Sequence, residues 1–384
     1  MLLALRLAWR QLRSGRAKLI SAIAGVLFAC LLVFMQLGFR AALFEAASNL
    51  AGSMRGQLFL IHPLTQVLFR AEPFPRSRAY QALAVPGVAQ AVPIYLSQVN
   101  WRNPQNGTRR SIQLIGFDPQ VGALSFPGLA QAAEALTAPD TLAFDIRSRP
   151  EFGDVKGMFD KSGPFDVQVG DRRMRVVGLV EVGASFAADG NAVMSEINIR
   201  RIVKEKQANK TDLVALRLAD GADIAATRAA LRPILPDDVM VLTQPELVAW
   251  EKHYWETGTP IGFIFAFGSA MGLVVGMVIV YQILFSDIAN HLKEYATLKA
   301  MGYSTMYLCY VVMGAALILA ILGFVPGLLA TLGLYHMVAK ATFLPLYMDP
   351  VRGVEVFGLI AGMCIIAGML AMRKLSEANP ADMF

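Results

Sequence analysis

The chain has 384 residues, 55% of them hydrophobic and 17% charged, with a formal net charge of +6. A mean hydropathy of +0.48 excludes an ordinary soluble protein and places the apolar residues in membrane spans. The basic excess flanks those apolar runs, so it reads as membrane topology and argues against nucleic-acid binding.

The first eighteen residues set the orientation. "LLALRLAWRQLRSGRAK" repeats Leu3, Leu7 and Leu12 against Arg6, Arg10 and Arg13, with Trp9 at headgroup level. That pattern predicts an amphipathic helix over residues 1–18 lying along the inner membrane surface. Arg6, Arg10, Arg13, Arg16 and Lys18 precede the first long apolar run with no acidic residue among them, which predicts a cytoplasmic N-terminus. The run itself, residues 19–39, is longer than the roughly 7–15 apolar residues of a signal peptide and is expected to stay as a first span.

Residues 40–259 carry no span and are expected outside the cytoplasmic membrane. "QLFLIHP" reads as a strand, "SRAYQALAVPGV" as a helix and "AVPIYLSQVNW" as a second strand. The pattern recurs downstream in "DLVALRLA", "DIAATRAALRPIL" and "VMVLTQ". Two strand–helix–strand units therefore bracket the domain and are expected to pack as an α+β layer. Between them "TRRSIQLIGF", "DTLAFDI", "FDVQVG" and "RMRVVGLVEV" alternate apolar and polar residues, predicting an inserted β-rich subdomain over about residues 97–210. The segments "RAALFEAASNLAG" and "QPELVAWEKHYWETG" at the two ends look helical and would form a stalk.

Three further spans follow at 260–285, 307–335 and 353–372, the second of them interrupted by "GFVPG" at 323–327. Four spans leave a short outer loop at 336–352 and return the C-terminal tail, 373–384, to the cytoplasm beside Arg373 and Lys374. Gly268, Gly272 and Gly276 recur every fourth residue. Such a stripe lets two helices approach closely, either within the chain or across a dimer. "GLIAG" at 358–362 has the same character.

Catalytic constellations are missing from the sequence. It contains no G-x-x-x-x-G-K-[ST], so the chain has no nucleotide site of its own, and no H-E-x-x-H. His62, His253, His291 and His336 have no ligand spacing, so no metal is expected. "GASFA" at 183–187 lacks the second glycine of a nucleophile elbow and reads as a loop. Cys30, Cys309 and Cys364 all lie in apolar runs and read as small packing residues rather than a disulfide framework. "RSRPEFG" at 147–153 is either a solvated turn opened by Pro150 and closed by Gly153 or a contact for an outside partner, through Arg149 and Glu151.

The segment between the second and third spans, 286–306, remains to be explained. Ile288, Leu292, Tyr295 and Leu298 or Met301 recur near helical spacing and Gly302 is placed to end the helix. On this topology it is a short amphipathic helix at the inner face, either turning the chain or docking a soluble partner. "KEYATLKAMGYS" resembles the E-I-G-x-x-[KR]-A-[LM]-G-A segment of the FtsX/MacB-type ABC permeases, with Glu294, Lys299, Ala300 and Gly302 at matching positions. Tyr295 and Ala296 stand where that family often has Ile-Gly. "LAWRQLRSGRAKLISAIAGV" near the start and "ANPADMF" at the end resemble the same family's termini. "FMQLGFRAALF", "SRPEFG" and "EYATLKAMGY" look like its DevC branch.

The resemblance implies a bacterial inner-membrane permease, a homodimer working with two copies of a cytoplasmic ABC ATPase that binds the ATP and Mg. It implies no cofactor on this chain. A periplasmic membrane-fusion adaptor, a TolC-like outer-membrane channel and a glycolipid or other amphiphile as cargo complete the expected machine. Such permeases work by mechanotransmission, the ATPase pushing a coupling helix. Here that helix is 287–302, with Leu292, Lys293, Glu294, Tyr295, Leu298, Lys299, Met301 and Gly302 as its contact residues, Leu292, Tyr295 and Leu298 dominating. The alternatives are an FtsX-like regulator of a periplasmic hydrolase and a lipoprotein-release permease.

Overall fold

The structure, a computed structural model of the chain, describes residues 2–14, 16–183, 185, 188–203 and 209–376. The C-terminal "ANPADMF" and most of the 183–187 loop thus lie outside the described residues. In chain order the elements are α1 (Leu2–Ser14), α2 (Arg16–Gly52), β1 (Leu58–Ile61), β2 (Phe74–Pro75), α3 (Ser77–Leu83), β3 (Val88–Arg102), β4 (Arg109–Phe117) and α4 (Leu129–Ala132). There follow β5 (Thr141–Asp145), α5 (Val155–Ser162), β6 (Phe165–Val169), β7 (Arg172–Val180), β8 (Asn191–Ser195), α6 (Glu196–Ile202), β9 (Lys210–Thr211), β10 (Leu213–Leu218) and α7 (Ile224–Leu231). The chain closes with β11 (Met240–Thr243), α8 (Gln244–Thr257), α9 (Pro260–Asn290), α10 (Leu292–Ala300), α11 (Thr305–Thr342) and α12 (Pro350–Ser376). They form two compact units, one of Met1–Ala42, Ile261–Thr342 and Leu346–Phe384, the other of Leu43–Pro260 with Phe343–Pro345.

Within the helical unit, α2, α9, α11 and α12 are each long and apolar enough to cross a membrane. Lipid offers helices no hydrophobic drive to associate, so contact depends on small residues that let backbones close in. Here α2 is the hub. A Cβ on Gly276 of α9 would lie 2.5 Å from that of Ala29, and one on Gly268 2.5 Å from the Gln36 amide nitrogen. Gly272 faces Leu32 and Val33. The α9 stripe therefore meets α2 inside the chain. Gly358 and Gly362 of α12, by contrast, face no atom within 4 Å.

The expected interruption at "GFVPG" does not occur. Helix α11 runs unbroken from Thr305 to Thr342 with Pro326 inside it. Proline forfeits one backbone bond, which spanning helices tolerate when neighbours support them. Gly323 and Gly327 serve instead as contact points, pressed against Val26 and Cys30 of α2. Cys30 and Cys364 are fully buried in this unit's core and Cys309 packs at its margin, and all three are free thiols.

The second unit has the expected α+β plan. Strand order β11-β1-β10-β3 gives four strands, each antiparallel to its neighbours. With α3 after β1 and α7 after β10, this is the split βαβ arrangement. Strand β1 shows why "LFLI" is apolar throughout. Leu58 and Leu60 pack with Ala79 and Ala82 of α3 and Leu231 of α7, while Phe59 and Ile61 enter a second core with Leu247 of α8. Both faces of the strand are covered, so alternation is lost.

The β-rich insert departs from this sheet halfway along β3. Ile94 still pairs with Leu213 of β10, while Tyr95 onward pairs with β4. The order then continues β4-β8-β5-β7-β6, and β6 returns to β3 through Trp101↔Val169 and Arg102↔Gln168. The insert is thus a closed six-stranded barrel, which leaves no sheet edge within it. Trp101, Phe144, Phe152 and Met174 fill it, and the Trp101 indole donates to the Phe152 carbonyl at 3.1 Å.

Of the two helical segments expected as a stalk, α2 is one helix through to Gly52, whereas α8 stops at Thr257 and α9 starts at Pro260. Thr243 and Glu246 cap α8 reciprocally, satisfying two of its free N–H groups.

Candidate functional site

Helix α10 is the nine-residue helix Leu292–Ala300 between α9 and α11. Glu294 lies in its first turn and Lys299 in its last, the arrangement that complements a helix dipole. Its end is fixed by glycine chemistry. Gly302 has φ of +91°, Tyr303 N–H donates to Leu298 O and Gly302 N–H to Lys299 O, each at 3.1 Å. These two bonds define a Schellman motif, which needs a left-handed residue at Gly302. Ser304 then starts α11, accepting from Tyr307 N–H at 2.9 Å through its carbonyl.

The two faces of α10 differ from the sequence expectation. Tyr295 is 5% exposed and belongs to the helical unit's core, and Leu298 packs against that core. Leu292 is half-buried. Two of the three residues expected to dominate partner docking, Tyr295 and Leu298, are thus turned inward, because the spans supply an apolar surface that α10 itself covers. The side chain of Lys293 lies outside those described. Glu294, Thr297, Lys299, Met301 and Gly302 are exposed. Met301 and Met306 are each 62% exposed and Tyr303 46%, so the turn that joins α10 to α11 presents two thioethers and one phenol ring.

A polar bolt holds α10 to α1. Gln11 is a buried side chain. Its amide oxygen accepts the Tyr295 hydroxyl at 3.1 Å and its amide nitrogen reaches Glu294 Oε2 at 3.4 Å. Burial raises the Tyr295 phenol above its ordinary range, so it stays neutral and donates. Around the bolt, Ala8 and Leu12 of α1 are buried with Leu308 of α11, while Arg6, Trp9, Arg10 and Arg13 face outward. His291 Nδ1 lies 3.5 Å from Asp287 Oδ1, and Lys18 donates to Ser286 at 3.1 Å. Sequence reading overlooked Gln11. Its signal was its place on the apolar stripe of α1, one turn from Leu7 and Ala8, where a polar residue requires a partner.

Removing the bolt's hydroxyl should have a modest and specific cost. Tyr295→Phe is expected to lower the helical unit's stability by about 1 kcal/mol. In a double-mutant cycle with Gln11→Leu the two losses should fall short of additive, read as thermal midpoints of the detergent-solubilised chain. Strict additivity would mean the two side chains do not interact.

The segment 147–153 is a bound turn. Pro150–Phe152 forms a 3-10 turn ended by Gly153 at φ 99°, with Phe152 buried in the barrel. Arg149 pairs with Asp189 at 3.0 Å, and Arg110 bridges Asp189 at 2.8 Å and Glu151 at 3.4 Å. Arg149 and Glu151 are thus half-exposed members of one ion-pair network. No group of His, Cys, Asp and Glu side chains suited to a metal occurs among the described residues.

Residues 19–234 match the MacB-like periplasmic core domain, and residues 266–380 match the FtsX-like permease C-terminal domain. The chain therefore belongs to the FtsX/MacB-type family of ABC transporter permeases. It is similar to an uncharacterized ABC transporter permease of Mycobacterium tuberculosis, 23% identical over 388 residues and 98% of each chain. Another, from Mycobacterium bovis, is 22% identical over 396 residues and 98% of each chain. Among solved structures, the periplasmic region of MacB from Actinobacillus actinomycetemcomitans covers 54% of this chain and 96% of its own, with 12% identity and a TM-score of 0.35. The extracellular domain of the ABC-type transporter YknZ from Gram-positive bacteria covers 49% of this chain and 99% of its own, with 15% identity and a TM-score of 0.35. An ABC transporter permease acts with an ATPase, so a nucleotide-hydrolysing partner follows from the family.

Proposed function

We propose that this chain is the DevC-like permease of a tripartite efflux pump. It works as a homodimer with two copies of a separate cytoplasmic ATPase. ATP closure pushes α10, α2 relays the displacement, and the MacB-like domain drives a membrane-fusion adaptor joined to a TolC-like channel. A glycolipid or other amphiphile is the cargo. Both termini and α10 lie in the cytoplasm of a bacterial cell, and the chain itself neither binds nor hydrolyses nucleotide.

The observation that carries this reading is the exposure of α10 and of the turn that joins it to α11. Glu294 and Lys299 stand exposed on α10, a helix clamped from behind by Gln11, and Met301 and Tyr303 in the turn after it and Met306 at the start of α11 are exposed as well. An exposed apolar cluster with a charged rim is the composition of a protein-docking surface, and a rigid backing lets a push on it be transmitted. The "SRPEFG" and "FMQLGFRAALF" resemblances support the DevC branch.

The test is recovery of the intact complex from membranes under mild detergent, with identification of its subunits and lipids. An ATPase, a membrane-fusion adaptor and a bound amphiphile are expected together. A periplasmic hydrolase in place of the adaptor would replace export with regulation. A bound lipoprotein without an adaptor would make the chain a lipoprotein-release permease.

A further inference from the structure

The MacB-like domain holds a buried carboxylate that the transport reading does not use. Glu251, on α8, is 2% exposed. Its two oxygens are both occupied by donors. Leu68 N–H donates to Oε2 at 3.0 Å and the Trp255 indole N–H to Oε1 at 3.4 Å. Phe69 stacks on Trp255 with centroids 5.8 Å apart, so the 3-10 turn Leu68–Arg70 is fastened to α8 at two points.

Beside the carboxylate is a small cavity of about 30 Å³, against roughly 10–15 Å³ needed for one water on the same measure. Ala46, Leu50, Leu68, Phe69 and Val182 make its apolar wall, and Gln113 of β4 opens onto it. Gln113 is 3% exposed, and its amide oxygen has no hydrogen-bond partner among the described residues. A buried acceptor without a donor costs about 1–3 kcal/mol, so it marks a donor that comes and goes or a water.

Glu251 supplies that donor in its acid form. Ionised, it can only accept, and the Leu68 and Trp255 N–H groups suit it. Protonated, it gains an O–H and must find an acceptor, and Gln113 Oε1 on the same cavity is free. We propose that Glu251 and Gln113 form a buried site for one exchangeable proton and one bridging water, a latch that ties α8 to β4 when Glu251 is neutral.

The electrostatics agree with the geometry. Burial pushes the Glu251 carboxyl up to about 7, against the pull of the Leu68 and Trp255 hydrogen bonds. Among the described residues, Glu251 is the sole titratable one lining the cavity. The charged groups on the elements around it are Glu45 on α2, Arg70 after Phe69, Arg109 and Arg110 on β4, Asp145 at the end of β5, Glu181 and Asp189 next in sequence to the lining residues Val182 and Ala188, and Glu246, Lys252, His253 and Glu256 on α8, and none of them lines the cavity. Because the folded-state value lies above the ordinary 4.5, the stability Glu251 contributes is full below that ordinary value and is lost as pH rises through about 7. The latch is therefore closed in mildly acidic surroundings and open in mildly alkaline ones.

Hydrogen exchange of the full-length permease in lipid nanodiscs, corrected for intrinsic rates, tests this between pH 6 and pH 8. Amides of 66–70 and 247–257 should exchange more slowly at pH 6 than at pH 8, by up to about tenfold in all, the limit over this window for one linked proton that leaves near pH 7. Glu251→Gln, nearly isosteric and permanently neutral, should hold the protected level at both pH values. Gln113→Met, which keeps the volume and removes the acceptor, should leave both segments at the unprotected level. Wild-type exchange that is flat with pH, or a pH response retained by Glu251→Gln, would overturn the proposal. A response retained by Gln113→Met alone would remove Gln113 and its water from the site. Should Gln113→Met fail to fold, the Glu251→Gln comparison decides.

Discussion

Met301→Asp is expected to abolish stimulation of the partner ATPase, by tenfold or more, while leaving the permease folded. Met301 is 62% exposed just beyond the end of α10, so a carboxylate there costs the free chain little. In a complex the same carboxylate would be buried in an apolar contact. Interfaces concentrate their energy in a few buried residues, and losing one costs about 2 kcal/mol or more. Desolvating an unpaired charge adds to that. By comparison, Lys299→Ala at the charged rim should cost only about 0–1 kcal/mol, the ordinary worth of an exposed ion pair. Leu298→Asp is a poor probe of docking, because Leu298 packs on the helical core and the charge would disturb the fold as well. The measurement is ATP turnover of the reconstituted complex, with and without each permease variant, beside a thermal midpoint. Full stimulation by a folded Met301→Asp chain would remove the α10 surface from the coupling route.

Much of this architecture was legible because the bilayer imposes a simple rule. A helix must be apolar over about 20 residues to cross it, and four runs obey. The split βαβ sheet was also legible, since its strands are short apolar runs punctuated by Pro, Gly and Asp. What escaped depends on contacts between distant residues. Strand β8, "NAVMS", has no alternation because all five residues are buried between β4 and β5. The barrel's closure pairs Trp101 with Val169, which no local pattern announces. Likewise "GFVPG" reads locally as a breaker, yet Gly323 and Gly327 are defined by Val26 and Cys30 on another helix.

The coupling segment shows the same division. Its position, its helical period and its glycine stop are local properties and were readable. Which face it turns outward is not local, because "LKEYATLKAMGYS" has apolar residues on more than one side. Tyr295 went inward because Gln11 waited behind it with a matching acceptor. The charged and thioether residues were then left exposed.

The largest stability effect is expected at Asp145, the C-terminal residue of β5. It is fully buried and accepts four hydrogen bonds. Oδ1 takes Arg147 N–H at 3.0 Å and Val182 N–H at 2.9 Å. Oδ2 takes Gly183 N–H at 2.9 Å and the Asn191 amide at 2.8 Å. One side chain thereby ties the ends of β5, β7 and β8 together and holds the 182–183 wall of the Glu251 cavity. Asp145→Ala strands all four donors in a dry site, each costing about 1–3 kcal/mol, partly relieved by entry of water. A net loss of about 4 kcal/mol is expected, at the exceptional end for one substitution. For a unit of this size that is about 8–16 °C in thermal midpoint, followed by the tryptophan signal of the full-length chain. Asp145→Asn, which keeps the shape but turns a donor toward an N–H, should fall between Ala and wild type. A midpoint for Asp145→Ala within about 2 °C of wild type, too small for even one stranded donor, would mean that the four donors find other acceptors and that Asp145 does not hold the barrel to its wall.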